Sequence, residues 1–129
     1  MAEIPTEFKD LLDKKGFAHV ATIGPSGEPQ SSPVWYDFDG YRLLFSQTKD
    51  RQKYKNLQKN PQIAISIHDP DDPYRYLEVR GEAEEIVDDP DFAFINSMAK
   101  KYLGKDKYPY LEPGEERVIV KVIPHHIPG

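Results

Sequence analysis

Hydrophobic residues recur along this chain in two periods, and the switch between them marks the elements. Phe8, Leu11 and Leu12 stand at i, i+3 and i+4, Thr6 can cap the start and Gly16 sits where a helix commonly stops, so the spacing predicts a short amphipathic helix over 6–15. Residues 17–23 are rich in strand formers, GPSGEP at 24–29 is turn chemistry, and strand-like residues resume over 30–36, which predicts a hairpin. DFDG at 37–40 supplies another turn and YRLLFS at 41–46 a third strand, so the first third of the chain reads as a three-stranded meander. Polar helix formers follow at 51–60, anchored by Tyr54 and Leu57 and ended by Pro61. Ile63, Ile65 and Ile67 then alternate in a half-buried strand, DPDDP at 69–73 breaks the chain, and residues 74–87 form one long strand or two successive ones, with Gly81 marking a bulge or bend. Asp89 is placed to cap a third helix with Pro90 in its first position. Ile95, Met98, Ala99 and Tyr102 keep helical spacing until Gly104. A loop bearing Pro and Tyr spans 105–116, and RVIVKVI at 117–123 is a final strand. This order lacks regular βαβ alternation, which predicts a mainly β fold, a small closed antiparallel barrel with peripheral helices.

Composition narrows the picture. A chain of 129 residues and 14.9 kDa fits one domain, 1–129. Seventeen basic against 22 acidic side chains leave a formal charge of −5, which disfavours general nucleic-acid binding, since that needs a surplus of cations. Apolar residues are a modest 38%, so a chain of this size often hides more surface by dimerising. With no Cys, disulfides, thiolate zinc sites, iron–sulfur clusters and cysteine nucleophiles are all excluded. The first sixteen residues are interrupted by Glu3, Glu7, Lys9, Asp10 and Asp13, so no secretory apolar region is present. The longest apolar run, Phe92 to Ile95, is far short of a membrane span; a cytoplasmic protein is expected.

The sharpest local signal is KDRQKYKNLQK at 49–59, where five cations face the single acid Asp50, a local charge of +4 in an acidic protein. Arg51 and Lys53 fall in the predicted first helical turn, where the macrodipole disfavours positive charge by about 0.3–1 kcal/mol per cation. Free N–H groups at a helix start, joined by Arg and Lys donors and the hydroxyls of Ser46 and Thr48, make a phosphate pocket. The same residues also read as a solvated polar face, and position and charge alone leave both readings open. A second signal is QSSPVWY at 30–36. Pro33 cannot donate to a ladder, so this stretch is an edge or bulge where a flat aromatic ligand can approach, while Trp35 taken alone reads more simply as a core residue. None of the four His residues has metal-ligand spacing, so no metal is assigned. His125 and His126 are expected exposed in a terminal tail, and His19 and His68 on strands. GPSGEP is not a nucleophile elbow, Walker and GxGxxG patterns are absent, and the acids at 82–89 read as a solvated strand end. No general acid/base pair emerges and no catalytic residue is assigned, which disfavours hydrolysis without a cofactor.

Taken in order, GEPQSSPVWYDFDGYRLLFS, RQKYKNLQKNPQIAISI, DPYRYLEVRG and YLGKDKYPY resemble the flavin and deazaflavin oxidoreductases of the pyridoxamine 5′-phosphate oxidase-like split-barrel family, and within it the small coenzyme F420-dependent branch. The similarity runs from about Phe8 to Ile123. It implies an antiparallel Greek-key split barrel and a homodimer with two cofactor clefts at the subunit interface. It puts the phosphate of coenzyme F420, or of FMN, on Arg51 and Lys53, next to Ser46, Gln47 and Thr48. Ser32, Pro33, Val34 and Trp35 match the strand flanking the ring, and Asn56 matches a polar position on the helix. The arginine-rich C-terminal substrate element of the vitamin-B6 oxidases has no counterpart in VIVKVIPHHIPG, so oxidation of pyridoxamine phosphate is not expected. The expected activity is hydride transfer from C5 of the reduced deazaflavin to an unsaturated small molecule. The proton would come from solvent or from a tyrosine such as Tyr102 or Tyr108, and 105–116 would be a lid or simply a loop. Two other readings stand beside it: a non-catalytic binder or carrier of a flavin-like or tetrapyrrole ligand, and a structural dimer whose basic helix meets an acidic protein.

Overall fold

The computed structural model describes residues 2–128, and in it seven strands form one antiparallel sheet. In chain order they are β1 (Ala18–Ile23), β2 (Pro29–Val34), β3 (Asp37–Phe38), β4 (Leu43–Thr48), β5 (Gln62–Asp69), β6 (Asp72–Asp88) and β7 (Arg117–His126). The helices are α1 (Gln52–Lys59) and α2 (Ala93–Leu103), with a 3₁₀ helix at Thr6–Leu12. The spatial order is β2-β1-β5-β6-β7-β4-β3.

That order contains the rule that shapes the molecule. β2 and β3 are consecutive in sequence yet occupy opposite edges of the sheet, joined only by Trp35 and Tyr36. Seven flat strands would set those edges about 29 Å apart at roughly 4.8 Å per gap. The three Cα steps from Val34 to Asp37 reach about 11 Å at most. The sheet must therefore roll up until its edges nearly meet. β3 pairs with β4 only at Leu43 and Leu44, so the far edge of Phe45–Thr48 has no strand beside it, and the roll stays open there. The result is a split β-barrel rather than the closed one the strand order predicts.

The barrel interior takes alternate residues of β1, β4, β5, β6 and β7: Val20, Phe45, Ile65, Ile67, Leu77, Val79, Val118, Val120 and Val122 are all buried. Leu57 brings α1 onto this core against β1 and β4. The predicted β1–β2 hairpin forms, and β5 and the single long β6 lie where the periodicity puts them, while β7 runs past the predicted 117–123 to His126, so that His125 and His126 are exposed on its end rather than in a tail. Gly81 marks the predicted irregularity: β6 slips register against β7 at Arg80/Gly81, and a Cβ there would come within 2.1 Å of the Ile123 carbonyl oxygen.

Three expectations are corrected. The third strand does not complete a meander, because the 35–36 link carries the chain across the opening and β4 pairs with β7 and β3 instead of β2. The first helix is a 3₁₀ segment starting after Pro5, uncapped by Thr6 and ending before Asp13. There the Arg75 guanidinium takes the Glu7 carbonyl, which an α-helix would give to the Leu11 N–H. In α2 the position before the helix is Phe92, in a left-handed conformation at φ 59°, and Pro90 lies outside. Asp89 still caps this helix, its carboxylate reaching over to accept the N–H groups of Phe94 and Ile95. Gly104 ends it at φ 70°, as expected. Among the described residues no helix is long and apolar enough to cross a membrane.

One ion cluster ties the 3₁₀ segment to the β5–β6 turn. Asp69 accepts from Lys14 Nζ at 2.8 Å, from the Asp71 backbone N–H at 2.9 Å and from Arg75 Nη1 at 2.9 Å. Its carboxylate is covered by those cations rather than sunk in the core, and together they hold its pKa down at about 2. A lowered carboxylate pKa stabilises the fold above the unfolded value near 4, and the gain is lost as pH falls towards 2. Asp69→Asn should therefore melt lower than wild type at pH 7, with the gap closing between about pH 4 and 2. Thermal melts of the two proteins across that range check it; a gap independent of pH would contradict it.

Candidate functional site

The opening between β2 and β4 is a cleft of about 490 Å³. Ser32, Pro33 and Val34 line one wall, as expected for an edge strand in which proline donates nothing to a ladder, and Gln30 joins them. Ser46, Gln47 and Thr48 form the other wall. The first turn of α1 closes one end with Arg51, Gln52 and Lys53, and Arg117 of β7 closes the side. The structure thus brings Ser32, Pro33, Val34, Ser46, Gln47, Thr48, Arg51 and Lys53 to one place from three separate elements.

The electrostatics of that place are unbalanced. Lys53 is only 5% exposed, its Nζ lies 5.5 Å above the Phe45 ring, and no carboxylate pairs with it among the described residues. Burial, and then the positive charge of Arg51, push its pKa down to about 8. Arg51 occupies the residue before the helix, exposed, extended and likewise without an acidic partner, and no acid lies in the first turn. The Thr48 hydroxyl is buried with no partner in hydrogen-bonding geometry, although it is near enough to the Asp50 carboxylate to help hold that group's pKa down. Two cations, a helix N-terminus and an unpartnered hydroxyl are the donor set of an anion site, and they fit a phosphate ester.

Trp35 does not sit in the same chamber. It lines a smaller space of about 210 Å³ that shares Pro33, Val34, Ser46 and Arg117 with the cleft and adds Phe17, Ile95, Met98 and Tyr108. There it stacks on Tyr102 at 4.9 Å and meets Tyr108 edge-on at 5.9 Å, half-buried rather than core. Asn56 is not brought to the cleft. It is buried on the β1 side of α1, donating to Thr22 Oγ1 at 3.0 Å and accepting from Gln52 at 2.7 Å. Tyr102 is committed elsewhere too: its hydroxyl donates to the Gly16 carbonyl at 2.7 Å and accepts the Tyr36 N–H at 3.2 Å, and burial pushes its pKa up to about 12.

A larger groove of about 680 Å³ lies along α1 beside the 24–27 turn, but its lysines, Lys55 and Lys59, are exposed and solvated. The buried charge is in the smaller cleft, and the chemistry goes with it. Sequence reading missed Arg117, Gln30 and Gln52. Arg117 arrives through strand register, opposite Thr48 across the β4–β7 pair, which no local pattern announces.

A family model described as pyridoxamine 5′-phosphate oxidase matches residues 4–128. Among solved structures, an F420 reductase is 41% identical, covering 97% of this chain and 98% of that one with a TM-score of 0.86. The conserved hypothetical protein Rv2991 of Mycobacterium tuberculosis is 25% identical over 98% of this chain and 84% of its own, at TM-score 0.74. General stress protein 26 of Bacillus anthracis str. Sterne, 19% identical over 94% of this chain and 88% of its own, shares the fold at TM-score 0.68.

An unpaired buried ammonium destabilises the ligand-free protein. A lysine whose folded pKa lies below its unfolded value costs stability at neutral pH, and that cost fades as pH rises from about 8 towards 10.5. Lys53→Met, which keeps the length and removes the charge, should raise ligand-free stability at pH 7 by on the order of 1–3 kcal/mol and abolish that alkaline gain. Urea melts at pH 7 and 10 check this; a destabilised variant would contradict it.

Proposed function

The chain belongs to the pyridoxamine 5′-phosphate oxidase family, and from that premise and the charge of its cleft we propose that it is an oxidoreductase that holds the deazaflavin coenzyme F420, or FMN in its place, and reduces an unsaturated small molecule. The observation that carries the reading is Lys53, a buried cation at a helix N-terminus with Arg51 beside it and, among the described residues, no ion pair to a carboxylate for either. The F420 reductase at 41% identity over nearly the whole chain supports the deazaflavin ahead of FMN. When bound, a reduced deazaflavin would supply a hydride, which carries both electrons of the reduction.

The protein supplies position and charge. Arg51, Lys53 and the uncapped N–H groups of the first α1 turn hold the phosphate, with the Thr48 hydroxyl as a further donor. The Ser32–Val34 edge lies along one wall, where Pro33 leaves the backbone open to a flat ring. Phe17, Trp35, Ile95, Met98 and Tyr108 give the adjoining chamber an apolar, aromatic lining that suits the acceptor. With Tyr102 tied to Gly16 and Tyr36, the proton that completes reduction comes from water or Tyr108. The same proposal places the chain in the cytoplasm and pairs two copies of it so that each cleft is completed by the partner; the exposed Tyr74 and Tyr76 on the long β6 are aromatic surface that a pairing could cover.

Titration with oxidised coenzyme F420 and with FMN, followed by absorbance, should show micromolar binding of at least one. Replacing Arg51 and Lys53 together by Ala removes two charged hydrogen bonds worth roughly 1.5–3 kcal/mol each, so affinity should fall by at least about 100-fold. Reduced coenzyme mixed with protein and a panel of enones and quinones should be oxidised in an acceptor-dependent way. Binding without any such oxidation would make the protein a carrier; binding of neither cofactor would refute the reading.

A further inference from the structure

Arg117 opens β7 directly opposite Thr48 and stands where the cleft and the aromatic chamber meet. Its side chain is only 11% exposed and is fixed from three sides. Nε donates to Glu115 at 2.6 Å, Nη1 donates to the Ser46 hydroxyl at 3.0 Å, and the guanidinium lies 4.9 Å from the centre of the Tyr108 ring. A guanidinium carries five N–H donors. Two are used, and among the described residues the other three have no partner.

Charge separates this cation from the pair on α1. Arg117 is already neutralised by Glu115, itself 13% exposed, and that carboxylate would repel a phosphate brought to the same guanidinium. Among the described residues no carboxylate forms an ion pair with Arg51 or Lys53; the nearest acid in sequence, Asp50, is exposed and feels Arg51 only through its field. A neutral acceptor, by contrast, gains from a rigid planar donor without meeting that repulsion. Arg117 borders the cleft, where Pro33 leaves the backbone open to a flat ring, and so stands within reach of that ring's edge, with the aromatic chamber on its other side.

We propose that Arg117 is a further ligand-binding residue of the cleft, its uncommitted N–H groups donating to a carbonyl on the edge of the planar ring whose phosphate is held by Arg51 and Lys53. This rests on the cofactor reading above and adds to it a division of labour. The cations of α1 recognise the ester, and the cation of β7 recognises the ring.

The test compares whole cofactors with their phosphate-free rings. Wild type, Arg117→Gln and the Arg51→Ala/Lys53→Ala variant are titrated with FMN, coenzyme F420, riboflavin and 5-deazariboflavin. Arg117→Lys, which keeps the charge beside Glu115 but loses the fork, is carried in parallel, and melting temperatures confirm that each variant is folded. Arg117→Gln should weaken whole cofactors and bare rings by the same factor, about tenfold. The α1 double variant should weaken only the phosphate-bearing ligands. Arg117→Lys should follow Arg117→Gln, and in both the absorption shift of the bound ring should shrink. Unchanged ring affinity in a folded Arg117→Gln, or a loss confined to the phosphate-bearing ligands, would overturn the assignment to the ring. Failure of wild type to bind any of the four would instead overturn the cofactor reading itself, and this assignment with it.

Discussion

A buried lysine without a counter-ion is the constraint around which the rest of this molecule makes sense. Lys53 is closed in by the ring of Phe45 and pressed by Arg51, and its charge is disfavoured enough to bring its pKa to about 8. Proteins rarely keep such a group for stability, because a hydrophobic side chain of the same volume serves better. An anion that arrives only with a ligand resolves the conflict: it restores the charge, fills the donors at the head of α1 and converts a folding cost into binding energy.

The opening that admits this anion follows from connectivity. Two residues, Trp35 and Tyr36, link opposite edges of a seven-stranded sheet, which forces the roll. A third strand only two residues long then leaves Phe45–Thr48 of β4 uncovered on that edge. Tyr36 is sealed inside, its hydroxyl donating to the Leu11 carbonyl, while Trp35 faces the chamber beside the cleft. Charged cleft and barrel seam are therefore one feature, and the gathering of Arg51, Lys53 and Thr48 is a consequence of how the barrel fails to close.

Much of this was legible in the sequence, for identifiable reasons. Strand alternation at Ile63, Ile65 and Ile67 and helix punctuation at Gly104 and Pro61 are local signals, and they placed most elements. The misread parts were those decided at a distance. The Glu7 carbonyl accepts from Arg75, sixty-eight positions away, a tie to the first helix that no local spacing announces. The partner of β4 is chosen by the link across the seam, which no hairpin rule foresees. Within the site, Arg51 and Lys53 stood out because their charge opposed a helix dipole. Asn56 was drawn in by its position on the helix, but one face of α1 belongs to β1, and Thr22 takes its amide. Arg117 was invisible because register alone sets it opposite Thr48.

The titration of one side chain, Lys53, is the most direct measurement. With lysine carbons isotopically labelled and the Lys53 resonance assigned by its loss in Lys53→Met, NMR titration of the free protein should give a pKa of about 8. Saturating FMN or coenzyme F420 should carry it back above the ordinary lysine value of about 10.4. A free-protein value already near 10.4, or one that does not move when the cofactor binds, would contradict the claim that this lysine waits for the ligand's phosphate.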